Sequence, residues 1–171
     1  MTRNRFPARI ALIAAAATIG LALSGCSAIE GLLPKEQAQR DDETQEIVEG
    51  GQADVFTIAV GDCLNEVTDA EVSEVPTVPC SEPHDEEVYF DFQLEGDEWP
   101  GDEAILTESQ TRCAAEFETF VGFPYADSTL DFYPYTPTEA GWNEIDDRTV
   151  SCVIYEVSGE QITGSLAGAA R

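Results

Sequence analysis

Five cysteines, an odd number, bound what this 171-residue chain can become. Cys63, Cys80, Cys113 and Cys152 are spread across the polar and apolar segments of the chain. Cys26 stands apart, closing an uncharged stretch from Ile10 through Leu23 that follows a basic head of Arg3, Arg5 and Arg9. A basic head and a short apolar run are the layout of a secretory signal. The run is too short to serve comfortably as a permanent membrane span. Beyond the reducing cytoplasm the other four cysteines are expected to form two disulfides, for which three connectivities are open.

Leu23-Ser24-Gly25-Cys26 resembles the lipobox of bacterial lipoproteins. That resemblance implies cleavage after Gly25, so residues 1–25 are read as a lipoprotein signal peptide. It also implies acylation of Cys26 and a place on the extracytoplasmic face of the cell membrane, held by palmitate or a related chain. Lipid at Cys26 accounts for the odd thiol and leaves an even set to pair.

Composition narrows the partners. With 8 Lys and Arg against 34 Asp and Glu, the formal net charge is −26. Loss of Arg3, Arg5 and Arg9 with the signal would deepen it. Nucleic acid is excluded as a partner, because binding it needs cationic side chains to neutralise phosphate. Anionic headgroups would repel the same surface, so membrane contact is expected from the lipid alone. Basic proteins and divalent cations are the electrostatically favoured partners, although a high acidic charge also simply keeps a surface soluble.

Residues 26–54 are polar, with Lys35-Glu36-Gln37, Arg40-Asp41-Asp42-Glu43 and Gly50-Gly51, and read as a flexible acidic tether. About 28 such residues have an r.m.s. reach of roughly 30 Å. A short helix near Thr44–Glu49 would change little. The folded domain is expected over 55–164, with 165–171 a frayed tail. Phe56–Val60 reads as a strand ending at Gly61-Asp62, and Val75–Val78, broken by Pro76 and Pro79, as an edge strand. Val88, Phe90, Phe92 and Leu94 alternate with Tyr89, Asp91 and Gln93, the period of a half-buried strand. Asp102–Val121 reads as the one substantial helix, with Leu106, Cys113, Phe117, Phe120 and Val121 on its apolar face and Gly122 as its stop. Leu130–Tyr135 and Thr149–Val157 are strand-like, joined by a polar loop through Trp142, and Gln161–Gly164 is a final extended piece.

Strands around a single helix predict an α+β fold: a small antiparallel sheet with the helix packed on one face. Val150, Cys152 and Ile154 share a strand face, and Cys113 lies on the helix's apolar face. This placement favours Cys113–Cys152 as a staple between helix and sheet, with Cys63–Cys80 closing the loop between two short extended segments.

No catalytic set is evident, and the chain is read as non-enzymatic. The single histidine, His84, lies in Cys80-Ser81-Glu82-Pro83-His84-Asp85-Glu86-Glu87 and reads as a turn imidazole beside carboxylates. An envelope hydrolase using His84 with Asp85 is an alternative; Ser81 sits in no nucleophile elbow. Zinc on Cys63, Cys80 and His84 loses to disulfide formation, and the acidic loops lack a calcium-loop signature, so no metal or other cofactor is expected. Trp99 and Trp142 fall in loops, where each could anchor a partner or line a ligand pocket. His84, Trp99 and Trp142 are therefore the candidate partner contacts.

Gly61-Asp62-Cys63-Leu64, Val78-Pro79-Cys80-Ser81-Glu82-Pro83-His84-Asp85-Glu86-Glu87-Val88, Cys113 on a helix, and Trp142 ahead of Asp147-Arg148-Thr149-Val150-Ser151-Cys152 together resemble the septum-formation-related domain of actinobacterial lipoproteins and membrane proteins. The likeness spans Phe56 to Tyr155. It departs at Glu144-Ile145-Asp146-Asp147, where a glycine-containing turn is expected. The resemblance implies an extracytoplasmic accessory domain linked to cell division or envelope assembly, and it brings no catalytic residues. The expected function is a lipid-anchored domain that binds an envelope protein; a small-ligand-binding or sensory lipoprotein is the alternative.

Overall fold

The structure, a computed structural model, describes residues 36–68 and 72–171. The expected signal peptide, Cys26 and the first part of the expected tether lie outside the described residues. In chain order the elements are β1 (Gln39–Arg40), β2 (Ile47–Glu49), β3 (Gly51–Asp54), β4 (Cys63–Leu64), β5 (Glu74–Val78), β6 (Glu86–Gln93), α1 (Asp102–Val121), β7 (Leu130–Tyr135), α2 (Glu139–Glu144) and β8 (Thr149–Glu156). Strands β1 and β2 form a small ribbon. The others make one six-stranded antiparallel sheet in the order β3-β5-β4-β6-β8-β7. This is the expected α+β architecture, with α1 across one face.

The helix has the expected limits. Gly101 enters it at φ 93° and Gly122 leaves it at φ 74°, conformations that suit glycine, and Asp102 and Glu103 place negative charge at the positive end of the dipole. Its buried stripe, Ile105, Ser109, Cys113, Phe117 and Val121, recurs every four residues. Leu106, expected on that stripe, is exposed. Beneath it Leu130, Val150, Cys152 and Ile154 build the larger core, and Cys113–Cys152 ties helix to strand with Cα atoms 5.7 Å apart. Cys63–Cys80 closes the second loop at 5.2 Å. Both pairings are those expected.

The opposite sheet face holds a second core of Ala53, Ile58, Leu64, Val75, Val88 and Val153. Here the expected alternation along β6 fails. The register with β8 shifts between Val88 and Phe90, a β-bulge. Val88 turns to the second core, while Tyr89 joins Phe92 and Leu94 under the helix and donates its hydroxyl to the Cys113 carbonyl at 2.8 Å.

Four further expectations give way to the structure. The tether is structured from Glu36 onward: β3 pairs with β5, Ile47 is buried, and the Arg40 guanidinium forks onto the buried Asp62 carboxylate, with one bond of 2.7 Å. Backbone pairing and this ion pair hold a segment that has few apolar residues to bury. Strand β5 is interior, flanked by β3 and β4; Pro76 still offers its carbonyl, which accepts from Asn65 N–H at 2.9 Å. In place of a strand at Phe56–Val60 there is a 3₁₀ turn over Val55–Thr57, because the Asp54 side chain accepts from Phe56 N–H at 2.9 Å. The tail 165–171 is docked: Glu87, itself buried, accepts from the Ser165 hydroxyl and from Leu166 N–H, each at 2.6 Å. Arg171 then pairs with Glu156 at 3.2 Å.

Candidate functional site

Two of the three expected contact residues are buried on folding. His84 has no exposed surface: its backbone is bridged to Ile162 and its Nδ1 lies 2.8 Å from the Glu82 carbonyl oxygen. Asp85 does not orient that imidazole, since its carboxylate accepts from Glu66 N–H at 3.0 Å. Trp142 sits on α2 and not in a loop, 2% exposed, under the Arg148 guanidinium, which lies 3.6 Å from a ring centroid. Neither residue presents surface to a partner. Trp99 alone of the three is partly exposed, meeting Trp142 edge-on at 5.5 Å.

The loop that departs from the family pattern explains itself. Asp146 adopts φ 58°, the left-handed conformation a glycine would supply, and its carboxylate pairs with Arg148 at 2.9 Å. Aspartate is among the residues that tolerate this region.

The chemistry gathers instead on the sheet face away from α1. Glu86 on β6 is opposite Leu64 of β4 on one side and Tyr155 of β8 on the other. Beyond β8, edge strand β7 presents Tyr133 and Tyr135 on the same face. The rings of Tyr133 and Tyr135 meet edge-on at 5.4 Å, and Tyr133 meets Tyr155 at 5.9 Å. Two concavities adjoin across this ridge. One, of about 810 Å³, runs along β7 between Val55, Phe56, Val67 and the Trp99–Leu106 region. The other, of about 390 Å³, is bounded by Glu66, Asp85, Tyr155, Glu156 and Glu160. Glu66, Glu86 and Tyr133 line both. A larger depression along Pro100–Arg112, of about 990 Å³, is an open shelf on the surface of α1 with no buried polar group in its lining.

Glu86 and Glu87 are adjacent, both almost fully buried, and used differently. Each Glu87 carboxylate oxygen accepts a hydrogen bond from the tail. The Glu86 carboxylate touches the Tyr133 hydroxyl, but its Oε2 is buried without a hydrogen-bond partner. Desolvation pushes the Glu86 pKa up to about 7; Glu66 and Asp85 add repulsion, while the Tyr133 contact opposes the rise. Burial, then the Glu86 charge, raises Tyr133 beyond the usual phenol range, and burial likewise raises Tyr135 and Tyr155. The tyrosines are therefore neutral at physiological pH. A buried carboxylate with a displaced pKa beside a concavity is a functional candidate on physical grounds.

Sequence reasoning passed over Glu86 because the chain holds 34 acids, and Tyr133, Tyr135 and Tyr155 because each sits on a strand-like segment. The available signal was the period-two spacing of Tyr133 and Tyr135. Among the described residues, no group of three or more His, Cys, Asp or Glu is placed to hold a metal ion. No helix among them is long and apolar enough to cross a membrane.

These features define a twice-stapled α+β domain with an acidic, tyrosine-lined groove on its open sheet face. The chain belongs to the septum formation family, whose model matches residues 37–171. The match begins at Gln37, in keeping with strands β1 to β3 as part of the domain. No curated protein and no solved structure matches the chain.

Proposed function

We propose that this protein is an extracytoplasmic lipoprotein, anchored through Cys26, whose folded domain docks an envelope protein at the tyrosine-lined groove and acts in septum formation. The observation that carries the reading is the groove itself: a concave face with a buried, incompletely paired Glu86, in a chain of the septum formation family. Native proteins leave few buried polar atoms unpaired, and those that remain ask for a ligand or a functional reason. A binding role is supported by the buried, incompletely paired Glu86 and the neutral tyrosines beside it, which offer a counter-charge and aromatic walls to a docked segment.

Fractionation with immunolabelling tests the reading. Wild-type protein should sediment with membranes and concentrate at division sites, and Cys26→Ser should release it. Membrane retention of the variant would point to an uncleaved anchor, and uniform labelling around the envelope would count against a septal role.

A further inference from the structure

We propose that the groove seats a cationic side chain, a lysine ammonium or arginine guanidinium on a basic segment of the partner, with Glu86 as its counter-ion and the tyrosine rings as its walls. This rests on the docking reading above and names the chemistry of what docks.

Charge complementarity carries the argument. Glu66 and Glu86 line both concavities, Asp85, Glu156 and Glu160 add to the smaller and Asp102, Glu139 and Asp147 to the larger, and among the described residues neither lining contains a lysine, arginine or histidine. Some of these acids are answered within the fold. Glu156 pairs with Arg171, and Asp85 accepts from the Glu66 backbone. Glu86 is answered only in part: it is 4% exposed and touches the Tyr133 hydroxyl, with Oε2 unpartnered. Aromatic faces attract cations within about 6 Å of the ring centroid, and three adjoining tyrosines offer such faces at the mouth of the site. Attraction to Glu86 needs no direct contact, because a poorly solvated charge acts over several ångströms. An anionic ligand would meet repulsion from Glu66, Asp85 and Glu86.

A seated cation also reverses the balance at Glu86. With the site empty, desolvation and the neighbouring Glu66 and Asp85 keep the carboxyl near 7. A nearby positive charge favours the ionised form, so binding below that pH expels a proton. Tyr133, Tyr135 and Tyr155 stay neutral over this range; Glu156 and Glu160 lie in the smaller lining and Asp102, Glu139 and Asp147 in the larger.

Fluorescein-labelled hexalysine and hexaarginine, titrated into the full chain in detergent at about 0.15 M salt, give the test, since salt of this strength screens long-range attraction to the acidic surface. Expected at pH 8 is binding that Glu86→Gln weakens about tenfold. Glu118→Gln, an equal charge change on the exposed side of α1, should leave binding within about twofold. Binding should weaken from pH 8 to pH 5.5 in the wild type, and less so in Glu86→Gln. Equal weakening by both substitutions would mean diffuse attraction to net charge and would overturn the assignment, as would displacement of hexalysine by a chitooligosaccharide or by calcium chloride alone. If benzoylphenylalanine placed at position 135 crosslinks an envelope protein in cells while both peptides fail to bind, docking stands and the cationic assignment falls. If neither occurs, both fall.

Discussion

Replacing Glu86 by glutamine should stabilise the protein, and only at high pH. The carboxyl is raised from 4.5 to about 7 by burial. Between those values the folded state holds a proton that the unfolded chain has released, so Glu86 lowers stability as pH rises through that window. Below it both states are protonated and the penalty is absent. Above it the penalty is complete, and a rise from 4.5 to about 7 corresponds to roughly 3 kcal/mol. Glutamine keeps the shape and removes the charge. Urea unfolding of wild type and Glu86→Gln should therefore give nearly equal stabilities at pH 4, with the variant ahead by roughly 2–3 kcal/mol at pH 8.5. The other acids titrate in both proteins and cancel in the difference. A difference that does not vary with pH, or a variant less stable at pH 8.5, would refute the claim that Glu86 is buried without adequate compensation.

Removing Cys113–Cys152, which spans 39 residues, should cost roughly 4 kcal/mol, and removing Cys63–Cys80, which spans 17, roughly 3, both read from denaturation midpoints of paired Cys→Ala variants. Arg40→Ala strands the buried Asp62 and should destabilise the protein by about 3 kcal/mol in urea unfolding; a flexible tether at this position would show no change. Asp146→Gly should unfold within about 1 kcal/mol of wild type, because relief at φ 58° offsets the lost exposed ion pair, whereas Asp146→Val should be clearly destabilised.

The parts of the fold legible in the sequence are those with strong local signals. Helix α1 is bounded by glycines and acids, and its register places Cys113 opposite Cys152, so both disulfides follow. What escaped has a common physical cause: it is held by backbone pairing and by single polar contacts, which leave no hydrophobic period. Gln39–Arg40 and Gly51–Asp54 look like linker until Asp62 and β5 are in place. The tail looks frayed until Glu87 caps it. The bulge at Tyr89 is invisible to an alternation argument, since one inserted residue keeps the same composition. The site escaped for a related reason. Glu86 and Glu87 are indistinguishable in sequence, and only the three-dimensional partners show that both carboxylate oxygens accept in one and not in the other. His84 and Trp142, conspicuous as rare residues, are core.

Site-specific photo-crosslinking in living cells reads what docks in the groove. Benzoylphenylalanine would replace Tyr135 in the groove or, as a control, Glu118 on the exposed side of α1. One discrete crosslinked envelope protein is expected from position 135, lost when Glu86→Gln is added, and none from position 118. Crosslinks from the α1 face alone, or none from either position in a membrane-anchored and correctly oxidised protein, would contradict docking at the groove.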